Sequence, residues 1–398
     1  MPRVKPEIES FARIKVIGAG GSGNNVLDHM IRAKLKGIDF IAVNTDAQDL
    51  HNSLAPKKIF LGRNITKGLG AGMDPDLGRR AAEETAAEIA EAVKGADMVF
   101  VACGFGGGTG TGAGPVIANI ARESGALTVG VVTKPFSFEG AERMRLAEEG
   151  LRELITSVDA MIVIPNDKLF EIIEKQTSFL EAFEMCDEIL KQGVEGISDL
   201  ITTPGIINVD FADVRTIMQN AGTALMGIGI GTGERRAADA AERAINSPLL
   251  DTAIDGARGV LFSIAGGPDL TMWEINEAAR IITESIAKDA RVIFGAMHSE
   301  KIKKGELKIT VIATGFAHDL SKQGEKDSAS FSLFSDKDGT GKVAVNTPVG
   351  TTQIDEEDTP TIPEANSETI PATRKNMDKE EGDESEWDAV PAFLRRRR

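Results

Sequence analysis

The sequence predicts an α/β protein with a parallel sheet in its first half, a long central helix, a second and smaller α/β unit, and a disordered C-terminal tail. Three observations carry that expectation. Short β-branched runs alternate with longer Ala/Glu/Arg-rich segments across residues 13–164, one helical pattern runs unbroken over about 178–201, and large apolar residues become sparse beyond His318. At 398 residues the chain exceeds one ordinary core and suits two folded units plus a tail.

The runs at 14–17, 40–43, 98–102, 128–132 and 161–164 read as strands, and 79–94 and 140–156 among the segments between them as helices. Such alternation reads as βαβ units around a Rossmann-like parallel sheet, with ligands at the C-terminal ends of the strands. The central helix is stopped by Thr202-Thr203-Pro204-Gly205. Strand-like 259–264 and 307–312, with helical 271–287 between them, make the second unit. The expected organisation is a flexible extension (1–12), a ligand-binding domain (13–177), a connecting helix (178–203), a second α/β domain (204–317), an acidic linker (318–386) and a terminal peptide (387–398). The linker's Ser, Thr, Asp, Glu, Lys and Pro read as disorder. The end breaks that rule: Trp387 and Pro391-Ala392-Phe393-Leu394, followed by four arginines, suggest a short recognition peptide.

Composition narrows the function. With 41% hydrophobic and 27% charged residues the chain reads as a soluble globular protein, and its net charge of -16 argues against nucleic acid and anionic membrane surfaces as direct partners. Two distant cysteines, Cys103 and Cys186, suit a reducing, cytoplasmic setting. His29, His51, His298 and His318 share no metal-ligand spacing, so no protein-held metal is expected. Neither a signal peptide nor a membrane span is read.

Strand 14–17 runs into Gly18-Ala19-Gly20-Gly21-Ser22-Gly23, a G-x-G-x-x-G match that opens a helix at Asn24-Asn25. Glycines allow close backbone approach, and free N–H groups at a helix start face a phosphate. This loop fits a dinucleotide as well as a triphosphate. A dinucleotide site wants an acidic residue at the end of the second strand, where Asn44 stands with Asp46 two residues beyond. The second loop, Gly104-Phe105-Gly106-Gly107-Gly108-Thr109-Gly110-Thr111-Gly112, follows strand 98–102 and precedes a helix read at 113–122. It offers a row of backbone donors and two hydroxyls in a concave nest. Two such loops at neighbouring strand ends suit a polyphosphate gripped from both sides. A third, Gly68-Leu69-Gly70-Ala71-Gly72, follows another short strand and could close over the terminal phosphate. The chain has no G-x-x-x-x-G-K-[ST] loop.

Residues 106–112 resemble the signature loop of the tubulin/FtsZ GTPase family, and Asn208-Val209-Asp210-Phe211-Ala212-Asp213-Val214 resembles the catalytic loop of that family's cell-division members. The similarity spans about 11–316, and Pro391 to Arg395 resembles the tail of the bacterial division branch; Phe105 stands where methionine is common, and Asp388-Ala389-Val390 departs from the usual approach to that tail. The resemblance implies a GTP/GDP site with Mg2+, head-to-tail self-association, filaments at the mid-cell division ring, and membrane adaptors bound through 387–398. It also implies that Gly20, Gly21, Ser22 and Asn24 serve the phosphates and Asn25 and Asn166 the base, that Pro135, Glu139 and Arg143 serve the ribose, and that Asp46 organises water or Mg2+. Phe183 and Asp187 share one helix face, where a ring stacks on a purine and a carboxylate accepts from guanine N1 and N2; without context the pair reads as a core Phe beside a solvated Asp. Asp213 alone reads as a helix N-cap, whereas the resemblance makes Asn208, Asp210 and Asp213 catalytic, reaching the next subunit's nucleotide. Two rivals stand: an NAD-dependent oxidoreductase, which explains the first loop only, and a non-hydrolysing nucleotide scaffold, which makes the aspartate pair accidental.

Overall fold

The computed structural model describes residues 12–171, 176–247, 254, 256–299 and 301–316. The linker and terminal peptide read at 318–386 and 387–398 lie outside them, as does all but the last residue of the 1–12 extension.

In chain order the strands are β1 (Ile14–Ala19), β2 (Ile38–Asn44), β3 (Lys57–Phe60), β4 (Met98–Gly104), β5 (Leu127–Lys134), β6 (Ala160–Pro165), β7 (Gly222–Thr232), β8 (Gly259–Gly266), β9 (Arg291–His298) and β10 (Glu306–Thr314). The helices are α1 (Gly20–Arg32), α2 (Ala47–Asn52), α3 (Arg63–Thr66), α4 (Pro75–Glu84), α5 (Ala86–Val93), α6 (Thr109–Glu123), α7 (Ala141–Ser157), α8 (Phe179–Thr202), α9 (Phe211–Met218), α10 (Arg236–Ile245) and α11 (Met272–Glu284). The strands form one sheet in the order β3-β2-β1-β4-β5-β6-β7-β10-β8-β9.

The six strands from β3 to β6 are parallel. In β1, β4 and β5 the side chains are buried almost without interruption, because helices cover both faces. α1 and α8 lie on one face, where Val26, Leu27, Met30, Leu190 and Val194 meet Phe100. On the other, α4 to α7 bring Ala81, Ile89, Ile117 and Leu154 against Val101. β7 joins the two halves of the sheet: its first residues pair parallel with β6 (Gly222↔Ala160), and from Leu225 onward it pairs antiparallel with β10 (Leu225↔Ala313). β10 then pairs antiparallel with β8, and β8 parallel with β9, over a third core that includes Ala240, Phe262 and Ile275.

Three of the helices read from the sequence show what sets their bounds. The helix read at 79–94 is two helices, broken where the Thr85 hydroxyl donates to Ala81 O at 3.0 Å and accepts from Gly62 N at 3.0 Å. A threonine that bonds to local backbone in this way competes with the helix ladder. α6 begins at Thr109 rather than 113, so the last four residues of the second glycine loop form a helical first turn. The central helix begins one residue after the position read and ends at Thr202; Ser178 caps it, with Glu181 completing a capping box, and Pro204 stands just beyond.

Candidate functional site

β1 and β4 are neighbours, and each runs directly into a helix, so the starts of α1 and α6 converge at the C-terminal edge of the parallel sheet. A Cβ on Gly20, whose φ is +74°, would stand 3.1 Å from Gly110 N. Only glycine takes that backbone without strain while letting the two helix starts touch. The first N–H groups of a helix have no intrahelical acceptor, and two such ends aimed at one place make an anion site.

Part of the donor row read over 106–112 is used internally. Gly106 N donates to Thr111 Oγ1 at 3.0 Å, Gly108 N to Gly72 O at 2.9 Å and Gly112 N to Gly108 O at 3.0 Å. The N–H groups of Gly107, Thr109, Gly110 and Thr111 remain without an acceptor among the described residues. The loop at 70–72 is held against this cradle through the Gly72 carbonyl and through Gly70 N, which donates to Thr45 O at 3.2 Å. Ser22 packs against Gly104.

Asn44 is spent on shaping the turn after β2. Its Nδ2 donates to Asp49 Oδ2 at 2.6 Å, and its Oδ1 accepts from Thr45 N at 2.8 Å and Asp46 N at 3.3 Å. Asp46 caps α2, with Oδ1 accepting from Gln48 N and Asp49 N. Asp49 sits beside Gly21, and its carboxyl is raised above the usual range first by burial and then by the charges of Asp46 and Asp28. Asn24 lies next to it, 2% exposed, with neither amide atom in a hydrogen bond of ordinary geometry. Asn166 Oδ1 is likewise buried without a partner. Unpaired buried polar atoms are rare and each costs about 1–3 kcal/mol, so a bound group that partnered either amide would be stabilised there.

A second wall forms beyond the cradle. Phe136 meets Phe183 edge to face at 5.4 Å between ring centroids, and exposed Phe138 stacks on Phe136 at 5.0 Å. Asp187 lies one turn along α8 from Phe183, and burial, assisted by the charge of Glu184, pushes its carboxyl up to about 7. His29 on α1 bonds Glu188 on α8 at 2.8 Å and ties the two helices together; Asn25 is exposed on α1 and Asp187 half-buried on α8. Glu139 pairs with Arg143 and accepts from Phe136 N at 3.0 Å, while Pro135 and the Arg143 backbone pack on Gly106.

The 208–213 segment is elsewhere. Asn208 Oδ1 accepts from Gly205 N at 2.6 Å, Ile206 and Ile207 pair with the Ala296 carbonyl, and Asp210, not Asp213, caps α9. Asp213 occupies the first turn, exposed, and its carboxylate has no hydrogen bond or ion pair among the described residues. Arg215 Nη2 donates to Gly125 O at 3.0 Å, just past the last residue of α6. The 15 residues of α6 span about 22 Å, so α9 is anchored at the opposite end of that helix from the cradle.

Sequence reasoning missed Thr45 and Phe136. Thr45 is wholly buried with its hydroxyl 2.6 Å from Thr109 Oγ1, and its position at the end of β2 was the available signal. Phe136, beside Pro135, backs Phe183. Both cysteines are free and buried, and burial raises the Cys186 thiol to about 12.

Comparison with known proteins places these features. The family model described as "Tubulin/FtsZ family, GTPase domain" matches residues 13–174, and that described as "FtsZ family, C-terminal domain" matches 222–317. The empty FtsZ dimer from M. jannaschii is 46% identical with a TM-score of 0.74, over 76% of this chain and 88% of that one. A single-site mutant of FtsZ from M. jannaschii is 45% identical with a TM-score of 0.75, over 78% and 92%. The GTPgS-bound protofilament of CetZ2 from Haloferax volcanii is 22% identical with a TM-score of 0.66, over 80% and 98%, and shares the fold alone.

Proposed function

The chain belongs to the tubulin/FtsZ family, and from that premise we propose that it binds GTP, stacks head to tail into filaments, and hydrolyses the nucleotide where one subunit's 208–213 segment meets the next subunit's cradle. The observation that carries this reading is the separation of the two halves: the phosphate cradle opens at the start of α6, and α9 with its two exposed aspartates is anchored past the end of α6. A single copy therefore holds both halves without joining them. Exposed apolar side chains, Leu69 (85%) and Phe138 (58%) by the cradle and Met272 (71%) and Trp273 (76%) at the start of α11, suit burial against further copies.

In this reading the free N–H groups of 107 and 109–111 and the start of α1 hold the phosphates. Phe183 stacks on guanine, with Asn25, Asn166 and Asp187 reading its edge, and Glu139 and Arg143 flank the ribose. Mg2+ bound with the nucleotide would neutralise phosphate charge, and Asp46, whose Oδ2 lies outside its cap bonds, would hold it through water. Asp210 and Asp213 orient the attacking water. We further assign the filaments to the division ring and 387–398 to membrane adaptors. The bacterial origin rests on the resemblance of 391–395 alone, since the solved FtsZ relatives named above come from M. jannaschii. Among the described residues no helix is long and apolar enough to cross a membrane, so an adaptor would supply that attachment.

The nucleotide half of the proposal is tested at Asp187. Its carboxylate accepts from both guanine donors only when ionised, and in the empty protein it titrates near 7. GTP affinity is therefore expected to fall by up to about tenfold per unit as pH drops below 7, and the empty fold to gain relative stability over the same range, because the folded carboxyl binds its proton more tightly than the unfolded one. Asp187→Ala removes a charged acceptor, which costs about 1.5–3 kcal/mol, so affinity should drop at least about tenfold and the pH slope should flatten. Calorimetric titration across pH 6–8 reads both; unchanged GTP binding by Asp187→Ala would remove the assignment.

A further inference from the structure

α6 is engaged at both ends. Its first N–H groups open on the cradle, and beyond its last turn the Gly125 carbonyl accepts from Arg215 Nη2 at 3.0 Å. Arg215 lies on α9, two residues after Asp213 and five after Asp210. Its guanidinium also sits over the Phe211 ring, 5.5 Å from the centroid, and its Nε is buried without a partner. A cation at the carbonyl end of a helix meets both an orphan acceptor and the negative end of the dipole. Next to it Arg122, in the last turn of α6, donates to Asn220 Oδ1 at 2.6 Å and to Thr156 O at 3.0 Å, which ties the chain after α9 to the same end of α6.

Val214, Ile217 and Met218 bury one side of α9 and fix its depth on the sheet. They do not fix the exposed first turn, where Asp210 and Asp213 stand. We infer that Arg215 is a positioning residue for hydrolysis: by clamping α9 to the end of α6, it sets where the two aspartates stand relative to the cradle that opens at the other end of the same helix. The inference rests on the proposed catalytic role of that aspartate pair. In a head-to-tail stack the two ends of α6 face successive neighbours, so an error in α9 is passed directly to the next subunit's γ-phosphate. The planar fork of arginine reaches the carbonyl and stacks on Phe211 at once, which lysine does not reproduce fully.

The test uses the full chain with R215M, which keeps the apolar stem, R215K, which can restore a single bond to Gly125, and D213A as reference. Misplacement of a catalytic group by about 1 Å can cost about 10²-fold. R215M is therefore expected to lower kcat per sedimented subunit by at least about tenfold, with KM for GTP and sedimented mass within about twofold of the parent, and R215K to fall between them. A purely structural role would instead lower GTP affinity and sedimented mass together. Parental kcat in R215M alongside an inactive D213A overturns the inference and leaves the aspartates in place. Activity retained by D213A sinks the catalytic reading itself, and the two failures are thereby distinguishable. Should R215M not assemble, R215K decides: reduced kcat at parental mass supports the clamp, and any other result overturns it.

Discussion

Replacing Asp213 by alanine is expected to leave GTP binding and filament mass close to the parent while phosphate release per assembled subunit falls by about 10²–10⁴-fold. The structure makes this the cleaner of the two aspartates to remove. Its carboxylate is exposed and makes no hydrogen bond or ion pair among the described residues, so the fold loses only a favourable charge near the start of α9. That is worth about 0.3–1 kcal/mol. Asp210 is different, because it caps α9 by accepting from Ala212 N, and alanine there would cost helix stability as well as any chemistry. The proposed base, ribose and phosphate contacts lie on other elements, which is why binding should survive. Parental turnover by Asp213→Ala, measured by phosphate release against sedimented protein, would return Asp213 to the role of an ordinary first-turn acid.

Gly108→Val is expected to do the converse, abolishing measurable GTP binding, a loss of at least about 10²-fold, while leaving the 208–213 segment in place. Gly108 has right-handed backbone, φ -79° and ψ -56°, that any residue can adopt, so the constraint is space. A Cβ there would lie 2.6 Å from Gly72 O and 2.9 Å from both Ala71 O and Asp74 O. These are main-chain atoms, so the 70–74 loop and the start of α6 must part, and the cradle opens. Gly107 is the control, since a Cβ at that position meets nothing within 4 Å. Gly107→Ala should therefore keep the fold and report on the phosphate alone. Mixed with the Asp213→Ala protein, the Gly108→Val protein supplies intact aspartates to a loaded pocket, and phosphate release should partly return. Equal GTP affinity in the parent and Gly108→Val, read by calorimetry, would show that the cradle is not the nucleotide site.

How far the sequence could be read depends on which physical signal each element carries. β1, β2, β4, β5 and β6 were legible as apolar, β-branched runs alternating with helical segments, β1 and β4 running into glycine loops, and α8 was legible to within one residue at each end because Ser178, Glu181 and Pro204 punctuate it. β7 was not, because its apolar residues alternate with Gly227, Gly229 and Gly231, and glycine weakens a strand reading. The structure gives the reason for two of them: the α10 backbone at Ala240 and Arg236 lies directly against Gly229 and Gly231, leaving no room for side chains. β9 was not read although Val292-Ile293-Phe294 is an apolar run; in the structure its first two residues are exposed and its next two half-buried. The start of α6 was misread for a related reason, since glycines and threonines read as loop while Gly110 and Gly112 in fact meet the main chain of Gly104 and Pro75.

At the site, residue types and spacing marked the loops and the Phe183/Asp187 pair, but not which groups were already occupied. Asn44 and the N–H groups of Gly106 and Gly108 are consumed by local bonds that no spacing rule displays. Nor could sequence alone place Asp210 as the cap and Asp213 one turn in, since either fits an N-cap pattern before Val214-Arg215-Thr216. The distance between the cradle and the aspartates is a property of the fold, set by the length of α6 and the Arg215 contact past its end.

If no single copy carries a complete site, turnover must follow polymer, and phosphate release per molecule measured against total protein concentration reads this, with sedimentation at each point to find where polymers begin. Specific activity should be near zero where only monomers are present and should rise steeply once filaments form. A constant specific activity down to dilutions that contain only monomers would contradict it.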